Sequence, residues 1–325
     1  MNRRSFFFAL GAMVNWPLSA QAQHAGKILT IGLLSSSTAA VEVPRREAFL
    51  QRLGELGWSE GRNLSIVDRS AGGVAERAGE MAAEFARLHV DVMVMAGDAQ
   101  GIAAKRAAPN TPIVMAAVGD AVGHGLVASL ARPGGNVTGL SVQLSDTAGK
   151  RIELLQKVIP AIQRVAIFGN SANLAYSLEV GAAQTAARKL GLGSSVSGFG
   201  RPEDISSAIA ALHGSADALY VCVDPLVIAN RVRINSSALA AGLPVVHSYK
   251  DNLEGGGLLS YGPDLLDLYR GAADLVDKIL RGTKPADLPV EQPTKFELAI
   301  DLRNAKTLGL VIPPAVLGIA DEVIE

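Results

Sequence analysis

The fold is decided by residues 90–120, which read VDVMVMAGDAQGIAAKRAAPNTPIVMAAVGD. Val90–Met95 is an apolar strand that ends in a short turn of small and polar residues. The apolar spacing over Gln100–Ala107 predicts a helix, and Pro112–Val118 is a second apolar strand. A strand, a helix and another strand of these lengths predict a βαβ unit with parallel strands.

The same alternation continues on both sides of this unit. Toward the N-terminus, Lys27–Leu34 is a strand, and Pro44–Leu56 has the apolar spacing of a helix. After the boundary at Arg132–Asn136 the pattern restarts, and a single helix is predicted over Ile228–Ala241. There are too many units for one compact sheet, so the sequence predicts an α/β fold with two doubly wound parallel-sheet lobes. Leu265–Glu325 is long enough to cross back between these lobes.

Composition excludes several classes of protein. The chain has 325 residues, of which 49% are hydrophobic and 19% charged, which is too apolar and too long for a disordered tail or a disulfide-stapled mini-protein. The formal net charge is −1, without the basic excess of a nucleic-acid binder. Cys222 is the single cysteine, so no intrachain disulfide forms.

The first 22 residues have the pattern of a signal peptide. Arg3-Arg4 precedes a short apolar run, and the run is followed by Pro17 and the cleavage pattern Ala20-Gln21-Ala22. The two arginines resemble a twin-arginine export signal, and an ordinary secretory signal is the alternative. No later run is long enough to suggest a membrane span. We therefore expect a mature protein that is periplasmic and not membrane-embedded, which argues against cytosolic cofactors, and we predict none.

Small and polar residues follow the strands, where ligands bind to open α/β sheets. Helix N-termini at such loops present free N–H groups to an anion, and Asp98, Asp120 and Asp224 could balance an ammonium group. The alternative is that these residues only cap helices. The predicted ligand-binding residues are Ser36, Ser37, Gly97, Asp98, Gly119, Asp120, Asn170, Ser171, Asn173, Asp224 and Tyr249. Tyr261 is a further ring that could face the site, and the low aromatic content favours a small ligand.

Catalytic patterns are weak. Cys222 lies inside an apolar strand, where a packed thiol is expected rather than a nucleophile. The five histidines show no metal-binding spacing, and neither a GxSxG nor a Walker A motif is present. Residues 123–128 match GxGxxA, but they do not follow the first strand, as a dinucleotide-binding motif should. We expect no catalytic residue and no metal site.

Three stretches carry a resemblance to a known family. They are residues 49–63, residues 112–139 and residues 305–314, and the most specific run is LARPGGNVTG at residues 130–139. These stretches are similar to the bacterial ABC-transporter substrate-binding family, whose members include tryptophan/tyrosine-type binding proteins. The resemblance covers about residues 28–325, nearly the whole mature chain.

The resemblance implies the fold of type I periplasmic binding proteins, in which three crossovers join two lobes and the ligand lies between them. On this basis the first lobe is predicted at residues 23–139 plus about 262–290, and the second at 140–261 plus about 291–325. A membrane permease and an ATPase are the implied partners. The chain departs from the family at Ala121 and in the loop after Asn170, where the family often has proline. The ligands of family members are therefore not assigned to this chain.

The expected function is therefore an extracytoplasmic solute-binding protein of an ABC importer. It would bind a small molecule, an amino acid or a related carboxylate, between its lobes. Two alternatives stay open at this point. One is a ligand sensor that signals to a receptor instead of a permease. The other is a periplasmic enzyme on the same scaffold, although no converging set of catalytic residues is found.

Overall fold

The computed structural model describes residues 27–142, 144–173 and 176–325, and the predicted signal peptide lies outside them. The first lobe is built on a five-stranded sheet with the order β2-β1-β3-β4-β5, and every neighbouring pair is parallel. Its strands are β1 (Leu29–Ser35), β2 (Leu64–Ser70), β3 (Val92–Ala96), β4 (Ile113–Val118) and β5 (Val137–Ser141). Its connecting helices are α1 (Ala39–Glu55), α2 (Arg77–Arg87) and α3 (Asp98–Ala107).

Helices cover both faces of this sheet. Phe49 and Leu53 of α1 belong to the apolar core on one face, and Phe85 of α2 packs with Met93 and Met95 of β3 on the other. All five of these side chains are almost completely buried. Strands buried on both faces read as continuous apolar runs, which is why residues 90–118 identified the fold from sequence.

The second lobe is built on a seven-stranded sheet with the order β12-β11-β10-β9-β8-β6-β7. Its strands are β6 (Arg164–Asn170), β7 (Gly193–Phe199), β8 (Ala218–Val221), β9 (Val245–His247), β10 (Leu259–Pro263), β11 (Phe296–Asp301) and β12 (Glu322–Ile324). All pairs are parallel except β10 with β11, which run antiparallel. The predicted fold class is confirmed, and the antiparallel pair is a feature that the sequence pattern did not indicate.

Helices also flank the second sheet. They are α4 (Leu144–Val158), α5 (Tyr176–Lys189), α6 (Ile205–Ala210), α7 (Pro225–Ala229), α8 (Arg231–Ala240), α10 (Leu302–Thr307) and α11 (Pro314–Leu317). The single helix predicted over Ile228–Ala241 is wrong. Asn230 ends α7 with a backbone ψ of 16° and donates its side-chain amide back to the Leu226 carbonyl, so a new helix begins at Arg231.

A long segment returns from the second sheet to the first lobe. Helix α9 (Leu265–Leu280) follows β10 and packs against α1, β4 and β5. Beyond it, the Leu288 carbonyl accepts a hydrogen bond of 2.7 Å from Thr138 Oγ1 of β5, and Glu291 pairs with Leu140. The chain then enters β11 of the second sheet. Within the described residues it thus passes between the sheets after β5, after β10 and before β11; the lobe limits given above remain predictions.

No helix in the described part of the chain is long and apolar enough to span a bilayer.

Candidate functional site

A cavity of about 650 Å³ lies between the two lobes, at the carboxyl ends of their strands. The first lobe lines it with residues that follow β1, β3 and β4, and the second with residues that follow β6, β8 and β9. Much of the wall is apolar and made of small side chains. The apolar residues of the wall include Ala96, Ala99, Ile102, Ala103, Ala117, Val118, Val142, Val223, Leu226 and Leu265.

The structure brings most of the predicted site residues to this cavity. Those that line it are Ser36, Gly97, Asp98, Gly119, Asn170, Asn173, Asp224 and Tyr249. The three that lie outside its lining are Ser37, Asp120 and Ser171. Convergence follows from the topology, because parallel strands end at the same edge of a sheet. The part that each residue takes in ligand binding stays a prediction.

Each of the three residues outside the cavity lining makes a hydrogen-bond contact with a neighbouring part of the protein. The Ser37 amide points to Glu42 Oε1 at 3.4 Å, and the side chain is completely buried. Asp120 Oδ1 accepts hydrogen bonds of 3.2 and 2.8 Å from the Val122 and Gly123 amides. Ser171 Oγ donates to a carbonyl of β7. Asp120 therefore stabilises the turn that follows β4, and no helix starts at this turn.

Asp224 combines capping with a place in the cavity wall. Its Oδ1 accepts hydrogen bonds from the Leu226 and Val227 amides at 2.7 and 3.1 Å, which caps α7. Its Oδ2 accepts from Asn173 Nδ2 at 2.6 Å, and Asn170 Nδ2 lies 3.3 Å from both oxygens. Burial raises the pKa of this carboxyl, although its amide donors oppose that effect. Asp224 thus joins two loops of the second lobe beside the cavity, the loop after β6 and the loop after β8.

Asp98 joins the ends of two strands in the first lobe. Its Oδ1 accepts from the Gly119 amide at 2.9 Å and lies 3.1 Å from His124 Nδ1. The hydrogen bond to Asp98 raises the pKa of His124. Gly97, just before it, has φ of 97°, and a Cβ at this position would lie 2.5 Å from Gln100 Oε1. Only glycine fits this turn, which brings Asp98 and the start of α3 against the cavity.

Sequence reasoning missed several polar or charged residues in the cavity wall, among them Arg45, Glu76, Gln100 and Arg106. Arg45 is 4% exposed and pairs through Nη1 with Glu42 Oε1 at 3.1 Å. Its Nε and Nη2, and Oε1 of Gln100, are buried and make no hydrogen bond with any described residue. A signal for Arg45 was present, because Glu42, Arg45 and Phe49 share one buried face of α1 and charged residues rarely occupy such a face.

Two tyrosines also reach the cavity, and both are buried. Tyr249 was predicted, whereas Tyr269 of α9 was not. The Tyr269 hydroxyl donates to Glu42 Oε2 at 3.1 Å, so it helps to hold the Glu42–Arg45 pair. Tyr261 is not in the cavity wall; it stacks on Phe296 with ring centroids 5.9 Å apart.

A buried polar network supports the loops of the second lobe. Glu179 accepts hydrogen bonds from Arg151 at 3.0 Å, from the Tyr220 hydroxyl at 2.9 Å and from the Val223 amide at 2.9 Å. Arg151 also donates to Ser248 Oγ. Burial raises the pKa of Tyr220, which keeps its hydroxyl protonated as a donor. The network fixes the backbone beside Asp224 and Tyr249.

Neither the single cysteine nor the possible metal ligands form a reactive centre among the described residues. Cys222 is buried in the core, and burial raises the pKa of its thiol well above the usual value, so the unreactive protonated form dominates. Among the described residues, no cluster of histidine, cysteine or acidic side chains could hold a metal ion.

Comparison with known proteins agrees with this geometry. The curated tyrosine-binding protein of Clostridioides difficile (strain R20291) is 27% identical over 265 residues, which cover 82% of this chain and 76% of that protein. The crystal structure of an ABC domain in complex with L-Trp from Streptococcus pneumonia has a TM-score of 0.85 and 25% identity, and the match covers 91% of this chain and 99% of that one.

A third relative is a ligand-free, open substrate binding protein with adhesive properties from Clostridium difficile. Its TM-score is 0.70 at 25% identity, and the match covers 92% of this chain and 99% of that one. The backbone described here is therefore closer to the L-Trp complex than to this open structure. The fold is that of type I periplasmic binding proteins, as the sequence predicted.

The profile of the family described as ABC transporter substrate binding protein matches residues 40–324. This match spans both lobes and nearly all of the described residues, so the protein belongs to the family of ABC transporter substrate binding proteins.

Proposed function

We propose that the protein is the extracytoplasmic binding component of an ABC importer and carries an amino acid, or a related small carboxylate, to a membrane permease driven by an ATPase. The observation that supports this most is the cavity of about 650 Å³ enclosed by strand-end loops from both lobes. Such a volume is typical of a small-molecule site.

Both lobes contribute residues to the cavity wall, and this suggests how ligand binding changes the shape of the protein. A ligand that contacts both lobes is bound more tightly when they are closed, and this difference in affinity shifts the population toward the closed form. Gly73 of the first lobe faces Pro225 and Leu226 of the second, so the lobes meet at the edge of the cavity. The closed form would then dock on the permease.

Aromatic amino acids are the proposed ligand class. One relative is a tyrosine-binding protein and another is an ABC domain in complex with L-Trp. Here Tyr249 and Tyr269 bring aromatic surface to a largely apolar wall. Offset or edge-to-face contacts between such rings and an aromatic ligand add to the burial of apolar area. The small residues Ala96, Ala99 and Ala103 leave space for the ligand side chain.

A thermal-shift screen of amino acids, nucleosides and aromatic acids tests the ligand class, since a ligand that binds only the native state raises the melting temperature. We expect L-tryptophan or L-tyrosine to give the largest shift. Mass spectrometry of compounds that co-purify with the protein provides an independent reading. If no amino acid or carboxylate stabilises the protein, or if a bound compound is chemically converted, the proposal is wrong.

Export is the second part of the proposal. The signal pattern at residues 1–22 lies outside the described residues, and it supports export of the mature protein to the periplasm. Fractionation of cells should recover the processed chain there. Changing Arg3-Arg4 to Lys-Lys should block export if the signal is of the twin-arginine type and leave it intact if the signal is an ordinary secretory one. A processed chain that stays in the cytoplasm would contradict the proposal.

A further inference from the structure

His124 is a buried histidine that contacts a charged residue of the cavity wall. Its Nδ1 lies 3.1 Å from Oδ1 of Asp98, which is an ion-pair distance when the imidazole is protonated. The side chain of His124 is 5% exposed and does not line the cavity, whereas that of Asp98 is 16% exposed and does. Asp98 therefore contacts both the buried imidazole and the space between the lobes.

One oxygen of the Asp98 carboxylate is occupied and the other is open. Oδ1 accepts a hydrogen bond of 2.9 Å from the Gly119 amide and lies beside His124. Oδ2 accepts no hydrogen bond from any described residue and is not buried. Burial raises the pKa of Tyr249, which lines the cavity from the second lobe, and the charge of Asp98 adds to this effect. An open carboxylate oxygen in this wall can accept hydrogen bonds from the ammonium group of a ligand.

The other carboxylates near the cavity are less suited to this role. Asp224 already accepts hydrogen bonds from two backbone amides and lies against the side chains of Asn170 and Asn173. Asp120 lies outside the cavity lining. Glu76 is in the lining but exposed, so water screens an ion pair there. Among the described acidic residues of the wall, Asp98 is therefore the best partner for a cation.

Charged groups from two elements surround His124. Helix α3 contributes Asp98 and Lys105, and the turn after β4 contributes Asp120, whose backbone carbonyl accepts from the His124 amide. Lys105 Nζ donates to the carbonyls of residues 125 and 126 at 2.6 and 3.0 Å. The interaction with Asp98 raises the pKa of His124 above the usual 6.5, burial opposes this effect, and the charge of Asp120 adds to it. The imidazole therefore changes its charge above pH 6.5, and the charge of the pair that it forms with Asp98 changes with it.

We propose that the proton on His124 controls the affinity of the cavity for the ammonium group of an amino acid. With a neutral imidazole, His124 and Asp98 together carry one negative charge, which attracts the ammonium group. With an imidazolium, the pair has no net charge, and the ligand competes with His124 for the carboxylate. His124 acts through Asp98 and is thus a positioning residue. The inference rests on the proposed function and adds its regulation by pH.

Linkage makes the effect reciprocal. The factor by which a proton on His124 weakens binding equals the factor by which the bound ligand weakens the binding of that proton. Near the pKa of His124, binding of an amino acid should therefore release a proton to the buffer. The affinity should be highest above this pKa and fall as the pH drops through it.

The test is isothermal titration of L-tryptophan and L-tyrosine from about pH 5.5 to 8.5, across the range in which histidine titrates. Each amino acid is compared with its des-amino analogue, which keeps the ring and the carboxylate but lacks the ammonium group. The affinity of the wild type for the amino acids should rise with pH by about 5- to 150-fold, the range of such couplings. Its affinity for the analogues should not rise. Repeating the titrations in buffers of different ionisation enthalpy should show proton release with the amino acids only.

His124→Gln removes the titration and keeps a neutral polar side chain beside Asp98. At every pH it should bind L-tryptophan as tightly as the wild type does at high pH. His213→Gln is the matched control, because His213 is exposed in the second lobe and does not line the cavity. Its pH profile should match that of the wild type. His247 does not titrate in this range, because burial lowers its pKa to about 3.

Proton release is measured on the wild type and keeps the test decisive if His124→Gln folds poorly. If the affinity for the amino acids does not depend on pH, or if the des-amino analogues show the same dependence and the same proton release, the inference is overturned and the proposed function stands. An equal loss of affinity for both probes at every pH in His124→Gln would also overturn it, because His124 would then only support the fold. Failure of the wild type to bind either amino acid would instead contradict the proposed ligand class as well as the inference.

Discussion

Asp224 has two roles that are hard to separate, because the same carboxylate caps a helix and holds residues of the cavity wall. Its carboxylate caps α7 and holds Asn170 and Asn173 against the cavity. Asp224→Ala should lower the free energy of unfolding by about 1 kcal/mol for the lost cap. It should also weaken ligand binding about tenfold or more, because the charged hydrogen bonds that fix two cavity residues are removed. Chemical denaturation and calorimetric titration measure the two effects.

The control for this prediction is Asp120→Ala, which also removes carboxylate hydrogen bonds to backbone amides but lies outside the cavity wall. It should lower stability slightly and leave ligand affinity unchanged. Equal loss of affinity in both variants would show that the position of Asp224 in the cavity has no special importance.

His247 gives the protein a defined dependence of stability on pH. Burial lowers its pKa from the usual 6.5 to about 3, and Nε2 lies 2.7 Å from Asn235 Oδ1. Between these two pKa values the unfolded chain binds the proton and the folded chain does not. This residue therefore lowers stability as the pH falls below 6.5, by up to about 1.4 kcal/mol per pH unit.

His247→Gln keeps an amide donor near Asn235 and removes the titration. Urea unfolding at several pH values should show that the wild type loses stability faster than the variant between pH 6.5 and 4. Parallel pH profiles for the two proteins would contradict the assignment of a neutral, buried His247.

Among individual residues, the sequence predicted those cavity residues that lie in loops after strands. It missed cavity residues that lie on helices. Ser36, Gly97 and Asp224 follow strands, and the rule for parallel sheets places such residues at one edge. Arg45 and Tyr269 lie on α1 and α9 instead. Whether the buried face of a helix meets the core or a ligand depends on its packing, which spacing alone does not specify.

Among the elements, the start of α3 depends most strongly on one backbone conformation. Gly97 has φ of 97°, and a Cβ there would collide with Gln100 Oε1. Gly97→Ala should destabilise the protein by about 1–3 kcal/mol, the cost of a strained conformation, and should weaken binding by displacing Gln100 in the cavity wall.

Gly79→Ala is the matched control for Gly97. It lies inside α2, and a Cβ there would have no atom within 4 Å. Removing a helical glycine should stabilise the protein by about 0.4–1 kcal/mol and leave binding unchanged. Thermal unfolding of the two variants should therefore shift in opposite directions, and shifts of the same sign would contradict the argument.

Two features of the secondary structure were not predicted, because their sequences lack the usual pattern of the element that they form. Strand β7 reads GSSVSGF, without apolar alternation, and lies at the edge of its sheet, paired only with β6. An edge strand with exposed serines needs little apolar surface, so its sequence resembles a loop. The break between α7 and α8 depends on a single side-chain hydrogen bond from Asn230, which periodicity does not reveal.

For the whole molecule, the two-lobed plan was predictable because many βα units cannot form one compact sheet. The antiparallel pairing of β11 with β10 follows from the return of the chain through α9, a connection between distant parts of the sequence. The ion pair between Arg45 of the first lobe and Asp251 of the second likewise forms only where the lobes meet.

The central claim is that a small ligand binds between the lobes and holds them closed. The most direct test is a spin-label distance measurement across the mouth of the cleft. Labels on Glu80→Cys of α2 and Glu203→Cys, just after β7, lie on exposed positions of the two lobes, and a Cys222→Ala background leaves no other thiol. Saturating L-tryptophan should replace a broad distribution by a narrower and shorter one. An unchanged distribution with ligand bound would contradict the account.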